Sequence, residues 1–122
     1  MAYLNNNVLD SGLSWLQTNG TRLDICSSEP TTYAEATTTY TLGNKTSLSI
    51  GSPEARSPSG RKVAVPAITD GTVTGTNTAN YYAITNGSNT LCAAGALDTS
   101  QGVTDGNTFT LTTFDIGIPG PA

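Results

Sequence analysis

The apolar residues of this chain change period once, at Asn19-Gly20, and that change decides what the chain can fold into. From Asn5 to Thr18 the spacing is helical. Leu9, Leu13 and Leu16 fall at i, i+4 and i+7, with Val8 and Trp15 flanking the stripe. An Asn among residues 5–7 can cap the N-terminus, and Asn19-Gly20 predicts a left-handed C-terminal stop. Gly12 inside the segment costs about 1 kcal/mol against Ala, so tertiary packing has to hold this helix in place. Trp15 is expected to anchor it in the core.

Beyond Gly20 the period is two. Leu23 and Ile25 alternate with Arg22, Asp24 and Cys26, and Tyr40/Leu42, Leu48/Ile50 and Val63/Val65 form further pairs. Tyr81 and Ala83 face oppositely to Tyr82 and Ile84, which predicts a strand covered on both sides. Phe109 and Leu111 sit in one phase, whereas Phe114, Ile116 and Ile118 sit in the other. A strand cannot change face without an extra residue, so a bulge or sharp bend is expected near Thr112-Thr113. Asp70-Gly71, Asn86-Gly87 and Asp105-Gly106 read as hairpin-type turns. The composition agrees: Thr supplies 22 residues, and Thr favours pleated surfaces while Gly and Asn punctuate turns. The expected fold is mainly β, a single β-sandwich or small barrel of about seven to eight short strands with one N-terminal α-helix. One domain is expected over residues 1–122, with the helix at about 5–18, the β domain at about 21–118 and an extended tail at 118–122.

The formal net charge is −4 with only five basic residues, too few to neutralise a run of phosphates, so nucleic acid is not an expected partner. No apolar run reaches the roughly 18 residues of a membrane span. The N-terminal Met-Ala-Tyr-Leu-Asn-Asn-Asn has neither the basic nor the apolar region of a signal peptide, so folding in a cytosol is expected. The chain contains no histidine, which removes Ser-His-Asp and Cys-His nucleophile activation and the commonest metal ligand. Cys26 has Asp24 and Glu29 nearby, which would raise its thiol pKa, and Cys92 sits among small apolar residues in "NTLCAAGA". Both read as structural side chains. A Cys26–Cys92 disulfide is compatible with two strand positions, but a cytosolic folding site argues against it. Asp98, Asp105 and Asn107 have oxygen ligands to offer calcium but lack the regular spacing of an EF-hand loop. No pair among the carboxylates stands out for acid–base work. The expectation is therefore no enzyme, no metal and no cofactor.

Surfaces are more informative than chemistry. The polar stretch Ser27–Thr39 within "LDICSSEPTTYAEA" and beyond reads as a long loop, with Tyr33 and Glu35 as candidate contact residues. The second long loop, "SPEARSPSG" over 52–60, leads into Arg61-Lys62, and it clusters Arg56, Arg61 and Lys62 as a contact site for an acidic neighbour. Tyr3 and Leu4, ahead of the helix, are candidates too. The tail "IGIPGPA" has two prolines and two glycines and should leave the fold extended, with Ile118, Pro119 and Pro121 lying along a partner.

The order "VLDSGLSWL", "LDICSSEPTTYAEA", "SGRKVAVPA", "GTNTANYYAITN" and "GNTFTLTTFDIGIP" resembles small virion structural proteins of tailed bacteriophages, similar to capsid decoration or cement proteins. The resemblance covers nearly the whole chain, and no single motif in it is diagnostic. It implies a non-enzymatic protein made in the host bacterial cytoplasm and carried on the capsid surface of the virion. Its partners would be the phage major capsid protein and sister copies, as a trimer, since decoration sits on local symmetry axes. The alternative is a carbohydrate- or receptor-binding module of a phage head fibre or tail. Sugar binding wants exposed aromatic rings beside polar groups, and Tyr33, Tyr40, Tyr81 and Tyr82 are the rings available.

Overall fold

The computed structural model of the chain describes residues 5–119. In chain order the elements are α1 (Asn6–Asn19), β1 (Arg22–Cys26), a π-helical turn (Glu35–Thr39), β2 (Thr41–Lys45), β3 (Glu54–Ala55) and β4 (Arg61–Val65). They continue as β5 (Ile68–Val73), β6 (Asn77–Thr85), β7 (Leu91–Val103), β8 (Thr108–Leu111) and β9 (Phe114–Ile118). A curled six-stranded sheet runs β7-β6-β1-β2-β5-β8, and a smaller sheet runs β3-β4-β9. Every strand pairing is antiparallel. The mainly β architecture with an N-terminal helix is the one the apolar periods predict, with nine strands among the described residues.

Helix α1 starts where an Asn cap was expected: the Asn5 side chain accepts from the Asn7 backbone N–H at 2.8 Å. Its end differs from expectation. Gly20 donates to the Leu16 carbonyl at 2.7 Å but with φ −79°, outside the left-handed region. The glycine is there for space. A Cβ at this position would meet Ile84 Cγ2 and the Leu16 carbonyl oxygen at 2.8 Å and Ile50 Cδ1 at 2.9 Å. The helix ends by running into the core.

Leu9, Leu13 and Leu16 form the buried stripe, and Asp10 ties the helix to β4 through the Arg61 guanidinium at 2.8 Å. Trp15 is not a core anchor; it is 50% exposed, and Val8 is 58% exposed. At 100° per residue these two lie on one line about 110° around the helix from the leucine stripe.

The main core joins both sheets and the helix. Leu13 and Leu16 meet Leu23 and Ile25 from β1, Val63 and Val65 from β4, Ile84 from β6 and Phe109 from β8. Leu48 and Ile50 also enter it, but from an irregular segment between β2 and β3 and not from a strand. Asp70-Gly71 is likewise no hairpin turn. It lies inside β5 at a register irregularity between Ile68 and Gly71, and a Cβ on Gly71 would collide with the Phe109 ring. Asn86-Gly87 forms the β6–β7 hairpin loop as expected, with positive φ at Gly87, whereas Asp105-Gly106 is a turn with positive φ at Gly106 that is no hairpin, because the strands it connects, β7 and β8, do not pair.

A second, smaller cluster lies on the opposite face of β1 and β6, where Cys26 and Ala83 pack with Ala36, Tyr40 and Tyr81. Strand β6 is thus covered on both sides, as its doubled apolar pattern predicts. The cover comes from the segment expected to be a loop. Residues 33–39 are helical, ending in the π-helical turn. Thr32 Oγ1 accepts from the Glu35 backbone N–H at 3.1 Å, while the Glu35 carboxylate accepts from the Thr31 N–H and hydroxyl, each at 2.8 Å. That reciprocal arrangement has the Thr-x-x-Glu spacing of a capping box.

The phase change near Thr112-Thr113 resolves as a change of sheet. Strand β8 closes one side of the six-stranded sheet, and after two residues the chain enters β9 alongside β4. Thr113 makes the corner by donating its hydroxyl to the Val65 carbonyl at 2.8 Å. Ile118 belongs to β9, opposite Arg61, and lies 3.7 Å from where a Gly12 Cβ would sit. It is a strand residue against the helix and not the start of a free tail.

Candidate functional site

Curling brings the two outer strands of the large sheet, β7 and β8, toward each other without pairing them. One side-chain bond spans the seam: Gln101 Nε2 donates to the Thr110 carbonyl at 3.1 Å. Strand β7 departs from its neighbour here. Ala79 pairs with Gln101 and Tyr81 with Ala96, so residues 97–100 of β7 face only Asn80 on β6 and bow outward. The bow and the seam together open a cleft of about 460 Å³.

Its floor is apolar and aromatic. Tyr82 and Phe114 stand with ring centroids 4.6 Å apart at 45°, beside Ile68, Leu97 and Leu111. Tyr82 reaches this position because Gly95, its cross-strand partner, leaves room. A Cβ on Gly95 would lie 2.9 Å from the Tyr82 hydroxyl oxygen. Burial pushes the Tyr82 phenol pKa up. The rim is polar: Asp98 and Gln101 from β7, together with Thr69, Thr99, Thr110 and Thr112. Sequence reasoning named Tyr82 as an available ring but missed the cleft, since the seam depends on how far the sheet curls.

The predicted contact residues fall into separate groups. Arg56, Arg61, Lys62, Ile118 and Pro119 come together at one end of the small sheet, where Arg61 is paired with Ile118 and Lys62 with Gly117. Their charges are largely answered from within. Arg61 is held by Asp10 and the Pro53 carbonyl, and Lys62 reaches Asp115 at 2.9 Å and Glu54 at 3.7 Å. The hydrogen bond from Lys62 to Asp115 raises the lysine pKa. Arg56 donates to the Ser59 carbonyl and has no carboxylate partner among the described residues. The expected basic surface thus comes down to one arginine. Tyr33 and Glu35 lie elsewhere, on the helical segment over β1, with Glu35 held below the usual carboxylate range by the Thr31 N–H. Tyr3, Leu4 and Pro121 lie outside the described residues.

Both cysteines are free. Burial, with Asp24 adding to it, pushes the Cys26 thiol up to about 12, and burial also raises Cys92. Next to Cys26, Asp24 is fully buried and charge-paired. Arg22 grips it with two bonds of 2.8 and 3.1 Å, and the Thr41 hydroxyl donates at 2.7 Å. Among the described residues no three Cys, Asp or Glu side chains converge to hold a metal ion, and no helix is long and apolar enough to cross a membrane.

Against this geometry the comparisons are silent: no protein-family model, no curated protein and no solved structure matches the chain.

Proposed function

We propose that the chain is a non-enzymatic structural protein of a tailed-bacteriophage virion. In this reading it is made in the host cytoplasm and decorates or cements the capsid, docking on the major capsid protein and on sister copies as a trimer. The observation that carries the reading is the exposed apolar line of Val8 and Trp15 on α1. Trp is strongly enriched at binding hot spots, and a half-exposed Trp held by a rigid helix is a pre-ordered anchor. The anchor adjoins the N-terminal segment and stands on a helix clamped to the small sheet by Arg61 and Asp10. The order of segments that resembles decoration proteins supports the same reading. Reconstruction of particles lacking the protein, after incubation with purified wild-type or Trp15→Ala chain, tests it. Wild type is expected to occupy the shell and Trp15→Ala to occupy it less. A shell left bare by the wild-type chain would remove the reading.

A second reading, a carbohydrate- or receptor-binding module of a head fibre or tail, is favoured by the seam cleft, which sets paired aromatic rings beside polar groups.

A further inference from the structure

We infer that the seam cleft binds a neutral saccharide unit, its apolar ring face on Tyr82 and Phe114 and its hydroxyls on the rim. The inference goes beyond the decoration reading and rests on the second one, to which it supplies a ligand class.

Size comes first. At about 460 Å³ the cleft lies within the range of small-molecule sites and holds one or two sugar rings. Charge narrows the class. Among the described residues no Lys or Arg lines the cleft, and its only charged side chain is Asp98, so an anionic ligand meets repulsion and no counter-charge. Asp98 is exposed, and an ion pair in that position contributes little, so a cation gains little either.

Hydrogen bonding narrows it further. Some threonine hydroxyls are committed within the fold: Thr41 to Asp24, Thr37 to the Tyr33 carbonyl, Thr113 to the Val65 carbonyl. The hydroxyls of Thr69, Thr99, Thr110 and Thr112 have no such partner among the described residues. Each can donate and accept. The Gln101 amide spends one N–H on the seam and keeps its carbonyl oxygen free. A wholly apolar occupant would strip water from these groups without replacing its hydrogen bonds. A ring with an apolar face and a hydroxylated edge satisfies floor and rim together. At the exposed rim Asp98 adds acceptor oxygens for the hydroxyls of such a ring.

The test is a titration of the purified full-length chain, followed by amide chemical shifts, with methyl glucoside, methyl galactoside, the methyl glycoside of N-acetylglucosamine, and maltose. At least one is expected to shift the amides of residues 97–101 and 110–114 saturably, with a dissociation constant of about 1 mM. Asp98→Ala removes an exposed side chain, and it should keep the wild-type spectrum while weakening binding about tenfold or more. Phe114→Leu keeps apolar volume but loses the ring, and should weaken it as well. If no saccharide shifts a cleft amide, or Asp98→Ala binds like wild type, the inference falls. Saturation by choline or cyclohexanol without any response to the sugars would also overturn it, assigning the cleft to a cation or an apolar ligand. The second reading is tested separately. Purified chain that blocks phage adsorption to cells yet binds no sugar leaves a protein-receptor module standing, and particle occupancy tests decoration alone.

Discussion

Strand β1 places opposite chemistry on its two faces at single-residue spacing. Leu23 and Ile25 face the main core, while Arg22, Asp24 and Cys26 face the helical segment 33–39. The pairing of Arg22 with Asp24 follows from their i, i+2 spacing, which puts them on one face. The burial of Asp24 does not, because it depends on neighbours from outside the strand, among them Thr41 of β2. Arg22→Leu would leave a fully buried carboxylate with Thr41 as its one remaining side-chain partner. A loss of about 3–5 kcal/mol is expected, read from the urea midpoint. Cys26 carries a pH signature. Its folded pKa is raised from 9.0 to about 12, so the neutral thiol is the form that folding favours. That contribution is complete below pH 9 and is lost as pH rises toward 12, where the unfolded chain ionises first. Relative to Cys26→Ala, stability should fall by at most about 1.4 kcal/mol per pH unit in that window. In the native protein near neutral pH, iodoacetamide should leave Cys26 unmodified; rapid labelling would contradict the buried protonated thiol.

Among the elements, α1 shows how far periodicity reaches. The positions of Leu9, Leu13 and Leu16 identify the inward stripe from spacing alone, and the structure buries all three. Whether a flank is also covered depends on which neighbours extend past the helix. Here the cover over Trp15 is partial, so a large aromatic that reads as core is half exposed. The two residues should therefore separate in mutation. Leu13→Ala is expected to cost about 2–5 kcal/mol, as large-to-small core changes do. Trp15→Ala should stay within about 0.5 kcal/mol of wild type, as exposed substitutions do. Equal thermal shifts for the two would mean that the helix packs differently. The helical segment 33–39 was hidden for another reason. Its only helical signal is the Thr32-x-x-Glu35 cap, set in a short stretch without a leucine stripe, and five of its seven residues wind as a π-helix that no α-helical period reveals.

For the whole molecule, the switch from β8 to β9 is the last of three crossings, after β2 to β3 and β4 to β5, that tie the two sheets around one core. Phase inversion between Leu111 and Phe114 announced a bend, and tertiary structure turned the bend into a change of partner, from β5 to β4. The same switch corrects where the tail begins. Ile118 pairs with Arg61 and packs toward Gly12, so deleting residues 118–122 removes the end of β9 and should lower the unfolding midpoint. Deleting only residues 120–122 should leave it unchanged. If both truncations unfold like wild type, the pairing of Ile118 with Arg61 adds nothing to stability. In the decoration reading, the shorter truncation asks whether the Pro/Gly end contributes to shell occupancy without disturbing the fold.

Sequence by itself determined what local geometry encodes: one amphipathic helix with an Asn cap, alternating strands, Asn-Gly and Asp-Gly turns, and a phase break before β9. These follow from side-chain direction and backbone preference within a few residues, although the fold overrode the same kind of signal at Asp70-Gly71, inside β5, and at Leu48/Ile50, outside any strand. Tertiary structure decided the exposure of Trp15, the internal neutralisation of Arg61 and Lys62, the burial of Asp24 and the opening of the seam between β7 and β8. Each of these depends on contacts between residues far apart in the chain. The seam depends also on the accumulated twist of six strands, a sum that no single stretch of residues contains.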